Sequence, residues 1–185
     1  TVKDAAGNPL NDGRDEESAF GISTEEPSLS VSLQPDSDTG VSDSDAVTSD
    51  TTPTYDIEVN QAGTLEIDWE GDGSVDISDP VASEGTYQYS PSGGLADGEY
   101  PVEVTFRDTA SNQTSHGVPT TVDTAAPTFS SLSGSPDTVM FPNPFSVTVK
   151  ASDALSGIST VEFYRDTTGN DQLDIGQDEL LGTDE

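Results

Sequence analysis

Apolar residues along this chain come in alternation. Serines separate Leu29, Val31 and Leu33, acids separate Tyr55, Ile57 and Val59, and Glu66 and Asp68 separate Leu65, Ile67 and Trp69. Tyr100, Val102, Val104 and Phe106 keep the same beat, as do Phe145, Val147, Val149 and Ala151, and then Val161 and Phe163. A period of two places every second side chain on one face, which is the mark of a half-buried strand. The pattern predicts strands at 29–35, 55–59, 63–70, 86–89, 100–106, 118–122, 128–136, 145–151, around 161–163 and at 179–182. Residues rich in Gly, Pro, Asn and Asp punctuate them. No segment holds a helical period. The expectation is an all-β chain in which residues 24–123 pack as a complete β-sandwich.

The strands fall into three groups. Residues 24–123 carry a full set, bounded by linker-like Ser23-Thr24-Glu25-Glu26-Pro27-Ser28 and Asp123-Thr124-Ala125-Ala126-Pro127. Residues 1–23 hold a strand end, a turn at Ala5-Ala6-Gly7-Asn8-Pro9 and a short Ala19–Ile22 stretch. That is too little to bury a core, so this piece is expected to be the last strands of a preceding sandwich, or a donor segment. Residues 124–185 read as the first half of a further sandwich. Tyr100 opens a long strand just after the Asp97-Gly98 turn, the position of the tyrosine corner in immunoglobulin-like sandwiches. The fold expected is therefore tandem immunoglobulin-like β-sandwiches, one complete and two partial. Residues 35–53 are rich in Asp, Ser and Thr, and read as a long connection, either a solvated loop or a contributor to a cation site.

One stretch carries chemistry. From Asp68 to Asp79 the chain reads Asp-Trp-Glu-Gly-Asp-Gly-Ser-Val-Asp-Ile-Ser-Asp. Side-chain oxygens stand at positions one, three, five, nine and twelve (Asp68, Glu70, Asp72, Asp76 and Asp79), with Gly73 at six. This is the spacing of a helix-flanked calcium loop, where position six turns sharply and position seven, here Ser74, offers its carbonyl. The flanks alternate as strands do, so the sequence describes such a loop set on the end of a strand. A second, weaker version starts at Asp166: Thr168 at three, Asn170 at five, Asp171 at six, Gln172 at seven and Asp174 at nine, with Gln177 at twelve and Asp178 just beyond. Asp tolerates the left-handed backbone of position six better than most residues. Oxygen-only donors favour calcium or magnesium over zinc or copper, and magnesium's stricter octahedron leaves calcium as the expected ion.

The two loops also reveal a repeat. Asp68, Asp72 and Asp76 are matched 98 positions later by Asp166, Asn170 and Asp174. Asp4 and Asn8 of Asp-Ala-Ala-Gly-Asn are matched 104 positions later by Asp108 and Asn112 of Asp-Thr-Ala-Ser-Asn. A period near 100 residues is the size of one sandwich.

Charge narrows the partners. The chain has 36 acids against five bases, a formal net charge of −31. A nucleic-acid partner needs a basic footprint that is missing here. No apolar run is long enough to span a bilayer as a helix, so no membrane insertion is expected. Self-repulsion on this scale calls for screening, by bound divalent ions locally or by high salt globally, and a lysine-poor acidic surface fits a halophilic source and an Asp-rich calcium binder equally. There is no cysteine, which removes disulfides and thiol chemistry. The single histidine, His116, is expected in an exposed turn, Trp69 in the core rather than on a sugar-binding face, and no catalysis is expected. The chain begins at Thr1 without methionine, which reads as a processed chain or as part of a longer one.

Several motifs carry a family resemblance. Asp36-Ser37-Asp38-Thr39-Gly40-Val41-Ser42-Asp43, Asp50-Thr51-Thr52-Pro53-Thr54, Leu95-Ala96-Asp97-Gly98-Glu99-Tyr100 and Asp123-Thr124-Ala125-Ala126-Pro127 resemble the bacterial Ig-like repeats of giant surface adhesins. The resemblance covers most of 24–127. The stretch from Val161-Glu162-Phe163-Tyr164-Arg165-Asp166 to Leu180-Leu181-Gly182 is similar to another Ig-like type of large secreted proteins. What it implies is a string of extracellular sandwiches with calcium at the interdomain joints. Asp108 and Asn112, their counterparts Asp4 and Asn8, the linker acids Glu25 and Glu26, and Asp123 are then candidate joint ligands. The function expected is that of a structural segment, an adhesin stalk or cell-surface filament. Its partners would be neighbouring repeats or identical subunits joined head to tail, and a surface glycan or protein receptor. The alternative is a spacer or carbohydrate-binding accessory module of a secreted polysaccharide-degrading enzyme.

Overall fold

The computed structural model describes residues 5–6, 25–135 and 146–184. Among them every regular element is a β-strand. The first unit contains β1 (Leu29–Leu33), β2 (Val47–Thr48), β3 (Tyr55–Val59), β4 (Gly63–Asp68), β5 (Ile77–Val81), β6 (Gly85–Tyr89), β7 (Gly98–Asp108) and β8 (Gln113–Val122). One sheet has the order β1-β3-β6 and the other β2-β8-β7-β4-β5; all neighbours are antiparallel except β2, which runs parallel to β8. The alternating side chains meet between the two sheets: Val31, Leu33, Tyr55, Ile57 and Val59 from the first, Leu65, Ile67, Val81, Val102, Val104 and Phe106 from the second, with Trp69 just past β4. Trp69 is in the core as its alternation predicts, its ring centroid 5.3 Å from that of Tyr55. Tyr100 Oη donates to the Ala96 carbonyl at 2.9 Å, the backward bond of a tyrosine corner.

The strand directions give the sandwich two poles. Leu29 pairs with Val59 and Gly63 with Asp108, so the incoming chain and the β7–β8 turn share the near pole. Asp68 pairs with Glu103 and Gly98 with Val122, so the loop after β4 lies toward the far pole, where the chain leaves.

Three expectations are corrected. Residues 35–53 are a solvated loop only in part, chiefly from Thr39 to Asp45. Ser37, Asp38 and Thr48 are buried, the Thr48 hydroxyl donates to the Ser37 carbonyl, and Val47–Thr48 form the edge strand β2. Short polar side chains can bond the backbone of a tight crossover as effectively as a ladder does, which leaves no apolar signature. Residues 77–79, read as the end of the acidic loop, open strand β5, with Asp79 opposite Leu65. His116 is exposed as expected, but on β8 opposite Val104 and not in a turn.

The second unit contains β9 (Thr128–Ser135), β10 (Ser146–Ser152), β11 (Val161–Arg165) and β12 (Glu179–Asp184), as two antiparallel pairs, β9–β10 and β11–β12. Its apolar side chains are not sealed: Phe129 is 62% exposed and Leu132 63%. They line, with Val147, Val149, Val161 and Phe163, an open cleft of about 950 Å³. Apart from a turn at Ala5–Ala6, residues 1–23 lie outside the described residues, and so do Asp4, Asn8 and Phe145.

Candidate metal centre

The loop that joins β4 to β5 is built on its first carboxylate. One Asp68 oxygen accepts the Gly71 amide at 2.7 Å and the Asp72 amide at 3.3 Å, and the other accepts the Gly73 amide at 2.7 Å. Asp68 is 9% exposed, so these bonds replace the water it has lost. Gly71 and Gly73 have φ of 65° and 87°, a region that side chains with a Cβ adopt at a cost. Asp76 closes the loop: its amide donates to the Ile67 carbonyl, and its carboxylate accepts the Trp69 amide, both at 2.8 Å.

This folding brings three acids together. Asp68, Glu70 and Asp76 each offer a carboxylate oxygen, and these oxygens lie within 4.8 Å of one another. Among the described residues it is the only such trio of His, Cys, Asp or Glu. The Glu70 carboxyl is pushed above its ordinary range, first by loss of solvent and then by the negative Asp76 beside it. A cation with oxygen ligands at 2.3–2.6 Å would sit among oxygens spaced this way, and its charge would relieve the repulsion. The donor set therefore fits a calcium-like ion. The other predicted ligands stand elsewhere. Asp72 accepts the Ser74 amide at 2.7 Å, and Asp72 and Ser74 are exposed outside the trio. Asp79 accepts the Tyr89 hydroxyl at 2.8 Å, tying β5 to β6 across the two sheets. Asp79, at position twelve, lies on strand β5 opposite Leu65 and is not one of the trio.

The second loop copies the backbone of the first. Asp166 accepts the Thr168 and Gly169 amides with one oxygen and the Asp171 amide with the other. These bonds hold its carboxyl below the ordinary range, with the Gly169 amide contributing most. Gly169 and Asp171 have φ of 73° and 59°, 98 positions after the left-handed Gly71 and Gly73. The Gln172 amide donates to the Asn170 side-chain oxygen, as Ser74 does to Asp72. The ligands differ, however. Asp174 accepts the Thr168 hydroxyl and the Asn170 side-chain amide, and the buried Asp178 accepts the Thr167 and Asp174 amides. Here the neutral Thr168 stands where the first loop has Glu70, and Asp174, the counterpart of Asp76, is met by the Thr168 hydroxyl and the Asn170 amide and not by a second acid.

Asp108 and Asn112 meet, but on each other. Asp108 accepts the Asn112 side-chain amide and, with its other oxygen, the Ala110 and Asn112 amides. The carboxyl is held low, chiefly by the Asn112 side chain. This is the bonding of a hairpin turn whose residue Ser111 has φ of 72°.

At the far pole the structure shows contacts that the sequence reading left out. Asp97 accepts the amide and hydroxyl of Thr124. Asp123, 8% exposed, accepts the amides of Ala125 and Ser156. The Asp153-Ala-Leu-Ser156-Gly157 string carries a recognisable turn signal; its partner across the joint does not.

Comparison with known proteins agrees with the fold. The family model described as bacterial Ig-like domain matches residues 24–124. No curated protein matches the chain.

Proposed function

The chain belongs to the bacterial Ig-like domain family, and on that premise we propose that it is a structural segment of an extracellular repeat protein whose loops are stiffened by calcium, an adhesin stalk or surface filament. Domains of this family are structural repeat modules common in extracellular and surface proteins. The observation that carries the calcium reading is the convergence of Asp68, Glu70 and Asp76 at the loop after β4. A cation there would tie the end of β4 to the start of β5, at the side of the sandwich facing the next unit. The work of the segment is mechanical: each sandwich holds its length, and bound ions remove freedom from the turns.

The test is calorimetric titration of chelator-treated full-length chain with calcium, and with magnesium at matched ionic strength. Calcium is expected to release or absorb heat at a defined stoichiometry and to raise the melting temperature. At a hundredfold excess over Kd the gain is about 2.7 kcal/mol. Asp76→Asn and Glu70→Gln are expected to weaken calcium binding about tenfold or more, since each removes a charged ligand at little change in shape. Equal responses to both metals, or no response, would count against the reading.

A further inference from the structure

The joint between the two units is bonded through one side chain. Asp123 follows the last residue of β8, and its own amide still donates to the Thr48 carbonyl at 2.8 Å, so its backbone belongs to the first sandwich. One carboxylate oxygen turns back on the linker and accepts the Ala125 amide at 3.0 Å. The other reaches the second unit and accepts the Ser156 amide, also at 3.0 Å. The receiving turn is prepared for this. Asp153 accepts the amides of Leu155, Ser156 and Gly157 with a single oxygen, so the Ser156 amide is shared between Asp153 of its own turn and Asp123 across the joint. Thr124, between the two, is held by Asp97 at 2.9 Å and 2.8 Å. Thr39, Asp45 and Val47 of the first unit and Gly157 and Ile158 of the second line the same crevice, of about 340 Å³.

We propose that Asp123 is an interdomain latch that sets the orientation of successive sandwiches through the Ser156 amide, without a metal ion. A five-residue linker of ordinary composition would swing freely. This one spends its polar groups on fixed partners on both sides, and the carboxylate is an acceptor strong enough to hold an amide in a partly covered site. The latch is independent of the calcium loop: it shares no residue with the Asp68, Glu70 and Asp76 trio and would persist when that loop is stripped of metal.

The experiment measures residual dipolar couplings and ¹⁵N relaxation of the full chain in excess chelator. In wild type, couplings from residues 29–122 and 146–184 are expected to fit one common alignment tensor. Asp123→Ala is expected to abolish the common tensor and to give the two units separate tumbling times. Because Asp123 also follows β8, a second variant, Ser156→Pro, removes the amide from the far side, along with its bond to Asp153, and leaves the first sandwich untouched; it is expected to uncouple the units with an unchanged melt of the first sandwich. Ser156→Ala keeps the amide and is expected to keep the coupling. Overturning results are a common tensor in both uncoupling variants, separate tensors in chelated wild type, or a second unit whose signals report no fixed structure. If calcium restores a common tensor to a chelated wild type that lacked one, the latch fails and the calcium reading stands. If calcium does not bind yet the tensor is common, the reverse holds.

Discussion

Tyr55 has no exposed surface, and its hydroxyl donates to Thr120 Oγ1 at 2.9 Å. Burial pushes its phenol up to about 12, against a weaker opposing pull from the Thr120 bond. A raised folded pKa means the folded state keeps a proton that the unfolded state has lost. The contribution of Tyr55 is thus whole below about pH 10 and disappears as pH climbs from about 10 to about 12. The loss is of order 2–3 kcal/mol for a shift of this size. Urea midpoints followed across that window should fall in wild type. Tyr55→Phe should begin about 1 kcal/mol lower near neutral pH, since a buried bond is gone, and should fall less on the alkaline side. A residual fall belongs to Tyr89, raised in the same direction by burial and by Asp79. Identical alkaline slopes in both proteins would remove Tyr55 from the account. The burial of Tyr55 was legible from its alternation with Ile57 and Val59. Its partner was not, because Thr120 sits 65 residues away on the opposite sheet.

At the scale of elements, the acidic loop separates two kinds of glycine. A Cβ at Gly73 would meet nothing within 4 Å, whereas one at Gly71 would lie 2.4 Å from Pro101 Cγ and 2.7 Å from its carbonyl oxygen. Gly73→Ala should therefore cost only the left-handed backbone, about 1–2 kcal/mol. Gly71→Ala should cost that plus overpacking of about 1–3 kcal/mol against β7. Paired denaturant melts check the order; equal losses would mean that β7 gives way without cost. Position six of the loop was read correctly as a glycine turn, and Gly71, two residues before it, was passed over because its constraint comes from a neighbouring strand. The same blindness hid β5. The spacing of acids ran on through Asp79, but antiparallel pairing with β4 outweighs a ligand pattern borrowed from helical loops. Repeat spacing did carry the second loop, since left-handed residues recur at the same offset of 98.

On the whole molecule, 36 acids and five bases leave a net charge of −31, spread over strands whose outward faces are polar. Repulsion among exposed acids is screened over about 10 Å at 0.1 M salt and about 3 Å at 1 M. With chelator present, the melting temperature of the first sandwich should rise between these concentrations of potassium chloride and then level off. Calcium at constant ionic strength should add to that rise, because a bound ion acts at one site and salt acts on all. A melting temperature indifferent to potassium chloride would show that the acids are already far enough apart to ignore one another.

Alternation of apolar residues, turn residues between them and a recurrence near 100 positions were enough to determine a β-sandwich, its tyrosine corner and its acidic loop, because each depends on neighbours along the chain. Which acids of that loop converge, where Asp79 goes, why Ser37, Asp38 and Thr48 are buried and how Asp123 reaches Ser156 were decided only in three dimensions. Those outcomes depend on which strands lie side by side and on which amides are left without a ladder partner. Such pairings depend on how strands and turns meet in space, whether the residues are eight positions apart or thirty-three, and a local pattern has no means of recording them.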